Sequence, residues 1–187
     1  MNEPHDLNMN TWGQTVQQVV TAIRNAGATT QWILLPGTDY SSAGSFVQNS
    51  APALSTVTNP DGSFKNLYYD VHRYYDDGSG EYTYCQTDHV SDTYAPLATY
   101  LRQNRRMALL SETGGGNDQQ CVTAVCSALS YLNANNDVYL GWVGWAAGSF
   151  STNPNGNPGQ PGYNLTEPPM GTTDQSLVQQ CIAGKFK

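Results

Sequence analysis

Two carboxylates 109 residues apart carry the chemistry this sequence could do: Glu3 in "MNEPHD" and Glu112 in "LLSETGGGN". Between and beyond them lie His72 and Tyr74 in "VHRYYD" and Trp145 in "GWVGWAAGSF". Each of the latter, with Glu112, falls where an apolar strand-like run ends, and Glu3 falls just before a helical pattern. A lone glutamate at a strand end commonly caps the next helix. Two glutamates converging with an imidazole, a phenol and an indole point instead to glycoside hydrolysis. There one carboxyl protonates the leaving oxygen while the other attacks or activates water, and aromatic rings cover the C–H faces of a sugar. The histidines His5, His72 and His89 lack H-E-x-x-H or comparable spacing, so no metal site is expected. "SSAGS" lacks the G-x-S-x-G elbow of serine hydrolases. No cofactor is expected.

The elements that must position these residues follow from apolar periodicity. From Thr11, the spacing of Trp12, Val16, Val19, Val20 and Ile23 predicts an amphipathic helix ending near Asn25 to Gly27. "QWILLPG" reads as a buried strand closed by Pro36 and Gly37, and "SSAGSFVQN" as a short helix behind it. "NLYYDVHRYY" is a second strand, followed by a helix marked by Tyr94, Leu97, Ala98 and Leu101. "RRMALLSETG" is a third, with Val122, Val125, Leu129 and Leu132 on its helix. "VYLGWVGWAAG" is the fourth, and Leu177, Val178, Cys181 and Ile182 mark the last helix. Four strand and helix units with almost uniformly apolar strands predict an α/β fold, a parallel sheet covered by helices. The Gly-, Pro- and Asn-rich stretch at about 148–173 reads as a long loop at a strand's carboxyl end.

Composition narrows the partners. Net charge is −7, and only Arg105 and Arg106 form a basic pair, so a nucleic-acid partner has no electrostatic footprint. The apolar runs fall well short of the roughly 20 residues that span a bilayer. Charged residues make up 12% of the chain and aromatics 11%, with 12 Tyr and 4 Trp, a profile of hydroxyls, amides and rings. Cys85, Cys121, Cys126 and Cys181 predict two disulfides and an oxidising compartment, with three pairings open. Cys121 and Cys126 lie five residues apart in a helical pattern, roughly 140° around it, so each should find its partner elsewhere. Asn164 in "NLT" is a glycosylation sequon. The first residues are polar and lack the apolar stretch of an export signal, so a processed form or a longer natural chain is expected.

"MNEPHD", "VHRYYD", "LLSETGGGN" and "GWVGWAAGSF", in that order, resemble the second half of a fungal endo-β-1,4-glucanase of glycoside hydrolase family 5. The resemblance covers the chain apart from the long loop. It implies Glu3 as general acid and base, and Glu112 as the nucleophile of a retaining double displacement. Asn2 would contact the sugar 2-hydroxyl, while His72 and Tyr74 would orient the acid and the nucleophile. Trp145 would be a stacking platform and Tyr40 an aromatic on the leaving-group side. It also implies the pairings Cys85–Cys121 and Cys126–Cys181.

The family fold is an eight-unit (β/α)8 TIM barrel of about 250 residues. The resemblance therefore implies that residues 1–187 are a single half-barrel domain, with Glu3 at the end of the family's fourth strand. Open sheet edges need cover, so a homodimer or higher homo-oligomer is expected to complete the barrel, in a secreted, extracellular protein acting on a β-glucan. The alternatives are a catalytically weak half barrel that only binds β-glucan, and a β-mannanase. Glu3, with no complete strand behind it, should be the less firmly fixed carboxylate unless a partner subunit pins it.

Overall fold

The computed structural model describes residues 1–76, 84–116, 118–145 and 175–183. The expected loop at about 148–173 and the sequon at Asn164 lie outside them.

Helix α1 (Met9–Asn25) begins two residues before Thr11 because the Asn8 side chain accepts from the N–H groups of Asn10 and Thr11, a cap worth about 0.5–2 kcal/mol. Its Gly13, Val16 and Val20 are buried. A Cβ on Gly13 would stand 3.3 Å from Ala53, so the helix packs closely against α2 (Ala51–Leu54). After β1 (Ile33–Pro36) the chain makes a left-handed turn, Thr38–Ser41, before a π-helical turn at Phe46–Ser50 leads into α2. Gly37 permits this: a Cβ there would meet the Ser50 hydroxyl at 2.2 Å, the same hydroxyl that accepts from the Thr38 N–H.

Strand β2 (Leu67–Tyr74) is followed by a π-helical turn at Val90–Tyr94 and α3 (Ala95–Asn104). Strand β3 (Ala108–Gly114) precedes α4 (Gln119–Ala134), which Asp118 caps by accepting from the Cys121 N–H. Strand β4 (Tyr139–Gly144) and a π-helical turn at Val178–Ile182 complete the described elements. Arg105 and Arg106, which read as the start of the third strand, precede it. Arg105 ends α3 at φ 53°, and Arg106 is sandwiched at 4.3 and 4.5 Å between the rings of Phe64 and Tyr69, where burial pushes the pKa of its guanidinium down.

The four strands form one parallel sheet in the order β1-β2-β3-β4. Four parallel strands alternating with helices form part of a (β/α)8 barrel. Leu35, Tyr69, Val71 and Leu110 on one face pack in one core with Phe46, Leu97, Leu101 and Leu129, all fully buried, the aliphatic and phenyl side chains each contributing about 1.5–3 kcal/mol. The opposite face carries Asp70, His72 and Tyr74.

Cys85 and Cys121 form a disulfide spanning 36 residues. Cys126 and Cys181 are not bonded to each other, contrary to expectation. The Cys126 Sγ lies 3.6 Å from the Gln180 carbonyl oxygen, while Cys181 is turned into the core. The two cysteines stand on neighbouring helical segments, with Cys126 directed at backbone rather than at sulfur.

Candidate active site

The site assembles where β2 and β3 end. Alternation along β2 directs Tyr69, Val71 and Arg73 toward one face and Asp70, His72 and Tyr74 toward the other. On β3 the alternation breaks. Val71 pairs with Leu110, but His72 pairs with Glu112, so Ser111 is an extra residue in the ladder. Such a bulge re-aims the side chain that follows it. In unbroken register Glu112 would follow Leu110 by two and share its helix-facing side. The bulge turns it to the face of His72, and the displaced Ser111 hydroxyl donates to the Asp70 carboxylate.

Glu3 arrives from outside the sheet. It has φ 46°, a left-handed conformation uncommon for a residue with a side chain. The next residue is tied to the turn after β1, where the Tyr40 N–H donates to the Pro4 carbonyl at 3.0 Å. Tyr40 belongs to a run, Asp39 to Ser41, with φ of 56, 59 and 57°, and its ring stacks on His5 with centroids 4.6 Å apart. Consecutive left-handed residues store strain and persist only where their surroundings hold them. Here the Asp39 carboxylate accepts from Ser45 and Asn49, and β2 anchors the next residues through Ala43 N–H to the His72 carbonyl.

The imidazole of His72 is the junction. Its Nδ1 shares a hydrogen bond with Glu3 Oε1 at 2.9 Å and stands 3.6 Å from Glu112 Oε2. Tyr74 donates to Glu112 Oε1 at 2.6 Å. One oxygen from each carboxylate and the imidazole nitrogen all fall within 4.8 Å of one another. The His72 side chain is 5% exposed, Glu112 13% and Glu3 33%. This arrangement offers one carboxylate held by a phenol, a second held by an imidazole, and an opening on the Glu3 side.

Trp145 follows β4 directly, its N–H donating to the Thr113 carbonyl at 2.7 Å, with its indole half exposed at the same end of the sheet. Tyr40 is exposed on the Glu3 side. Asn2 is exposed, and among the described residues its side chain forms no hydrogen bond toward the carboxylates. Sequence reading missed Ser111 and Asp70, whose contact accompanies the bulge, and His5, which buttresses Tyr40. Gly115 was equally silent, although a Cβ there would come within 2.8 Å of the Cys85 sulfur, so the disulfide closes directly over the strand that carries Glu112.

A half-turn of parallel barrel bearing two glutamates, a histidine and a tyrosine at its carboxyl end defines a barrel of the glycosidase class. Residues 1–148 match the cellulase family, glycosyl hydrolase family 5, and the chain belongs to that family. It is 56% identical over 191 residues to Endoglucanase EG-II of Hypocrea jecorina, covering 99% of this chain and 44% of that protein. It is 44% identical over 155 residues to the manganese dependent endoglucanase Eg5A of Phanerodontia chrysosporium, covering 81% of this chain and 40% of that one. The crystal structure of Cel5A (EG2) from Hypocrea jecorina superposes with a TM-score of 0.86 over 97% of this chain and 54% of that chain, at 56% identity. The chain thus spans about half the length of the relatives it matches.

Proposed function

We propose that the chain carries the reacting carboxylates of a retaining endo-β-1,4-glucanase. The observation that supports this best is the asymmetric holding of the two glutamates, Tyr74 on Glu112 and His72 on Glu3. The Tyr74 hydroxyl, donating to Oε1, fixes the Glu112 carboxylate in place and leaves Oε2 available, as an attacking nucleophile requires. Glu3, more exposed and facing the leaving-group side marked by Tyr40, is placed to give a proton to the departing oxygen. Once Glu112 has bonded to the sugar's anomeric carbon, Glu3 takes a proton from the incoming water, whose oxygen then displaces Glu112. The close approach of the two carboxylates supports retention, for which separations of about 5–5.5 Å are typical, rather than the about 6.5–9.5 Å that leaves room for water in inverting enzymes. Trp145 supplies a stacking face for the sugar on the nucleophile's side, and Asn2 a polar contact beside Glu3. No cofactor enters these steps.

Turnover of carboxymethylcellulose by the purified chain tests the proposal, with Glu112→Gln as control. Equal activity in the variant rejects Glu112 as nucleophile, and faster turnover of mannan than of the cellulose derivative rejects the glucanase assignment.

Strands β1 and β4 are the edges of the described sheet, and rows of unpaired backbone groups favour association. A second copy covering these edges, in a secreted protein, is the accompanying reading. Light scattering on the eluting protein decides it: a stable monomer near 20.3 kDa overturns the self-association.

A further inference from the structure

We propose that Glu3, His72 and Glu112 also form a divalent-cation site, occupied in competition with substrate, so that the cation inhibits. The inhibitory part rests on the glucanase reading; the binding does not. No spacing in the sequence announces such a site, because its three donors come from the N-terminal segment, β2 and β3. Folding nonetheless delivers a ligand set of one imidazole nitrogen and two carboxylate oxygens.

The two spacings about the imidazole fit a small cation, and the two carboxylate oxygens lie within 4.8 Å of each other. With ligand bonds of about 2.0–2.2 Å, adjacent donors around a zinc-sized ion lie about 3–3.6 Å apart. His72 Nδ1 stands 2.9 Å from Glu3 Oε1 and 3.6 Å from Glu112 Oε2. The surrounding contacts fit as well. Metal-bound carboxylates are oriented by hydrogen bonds to their other oxygen, and Tyr74 donates to Glu112 Oε1, leaving Oε2 directed at the imidazole. The ring of His72 is nearly buried, so the nitrogen loses little freedom on ligation. Two carboxylates beside one imidazole suit zinc or manganese over soft ions. A bound cation would engage the lone pairs that Glu112 needs for attack and the oxygen from which Glu3 gives its proton, so substrate and cation exclude each other.

Calorimetric titration of the full chain with zinc chloride, and separately with manganese chloride, reads binding without turnover. One saturable site is expected, at least about tenfold weaker in Glu3→Gln and in His72→Ala. Glu3→Gln lies outside the sheet and serves as the folded control should His72→Ala lose its cooperative melt. With carboxymethylcellulose, zinc should raise KM, leave kcat unchanged and be reversed by EDTA. Equal affinity in wild type and Glu3→Gln, or no saturable heat up to about 1 mM cation, overturns the site. Residue-dependent binding in a chain that cleaves no glucan supports the site while overturning the glucanase reading. Turnover without binding does the reverse.

Discussion

Glu112 and Glu3 meet the same imidazole by different routes. Glu112 is built into β3 between neighbours paired on both sides, with a bulge that aims it, a phenol that holds it, and a disulfide packed against the glycine three residues on. Glu3 lies in an irregular segment held by one backbone hydrogen bond from a strained turn, one ring stack and the imidazole itself. The contrast matches what the proposed roles demand. A nucleophile must sit within a fraction of an ångström of its target. An acid that later acts as base must exchange protons with water and tolerates a more open setting, 33% exposed against 13%.

Replacing each carboxylate separates the two roles. Glu112→Gln should lower kcat by at least about a thousandfold on every glucan substrate, since no covalent intermediate can form. Glu3→Gln should cost about 10²–10⁴ on cellulose oligomers. On a glucoside with a strongly acidic phenol as leaving group, it should leave formation of the intermediate, seen as a burst of phenol, nearly unchanged. Similar losses for both variants on the activated substrate would show that the two carboxylates share one role.

The disulfide belongs to the Glu112 side. Cys85→Ser with Cys121→Ser should lower stability by about 2–5 kcal/mol, read as a lower Tm, and should lower kcat by loosening the backbone around Gly115. A wild-type Tm in the double variant would mean that the bond does not anchor β3. Tyr74→Phe keeps the ring and removes the hydroxyl. A hydrogen bond to a charged group contributes about 1.5–3 kcal/mol, so Tm should fall by several degrees, and kcat should fall about 10- to 100-fold as the nucleophile loses its anchor.

These two regions were unequally legible in sequence. The four parallel strands, the helices between them and both carboxylates follow from apolar periodicity and from the clustering of polar residues at strand ends. Period-2 alternation alone would have put Glu112 on the same face as Leu110, away from His72 and Tyr74, because a bulge is set by how a strand meets its neighbour and leaves no mark in its own residues. The left-handed run Asp39 to Ser41 was hidden for a similar reason: none of the three is glycine, and the conformation is imposed by contacts with Ser45, Asn49 and the N-terminal segment. The expected Cys126–Cys181 bond is not formed, because Cys126 is directed at the Gln180 carbonyl while Cys181 is turned into the core, an orientation that periodicity does not report. Arg105 and Arg106 were read into β3 because the apolar residues after them continue without a break.

The smallest expected effect tests whether the Glu3 side depends on its own local structure. Asn8 caps α1 five residues after Glu3, accepting from two N–H groups, and touches neither carboxylate. Asn8→Ala should cost about 1 kcal/mol, a fall in Tm of about 2–4 °C for a domain of this size. If the first turn of α1 is what anchors the N-terminal segment, the same change should slow turnover of unactivated glucans by a few-fold, yet spare the burst with an activated glucoside, because only proton delivery by Glu3 is loosened. Asn8→Asp, which keeps the capping oxygen and places a negative charge at the helix N-terminus, should restore both readings. A variant that lowers Tm but slows both substrates equally would place the dependence on the whole barrel half and would remove the distinction between the two carboxylates on which the proposed division of labour rests.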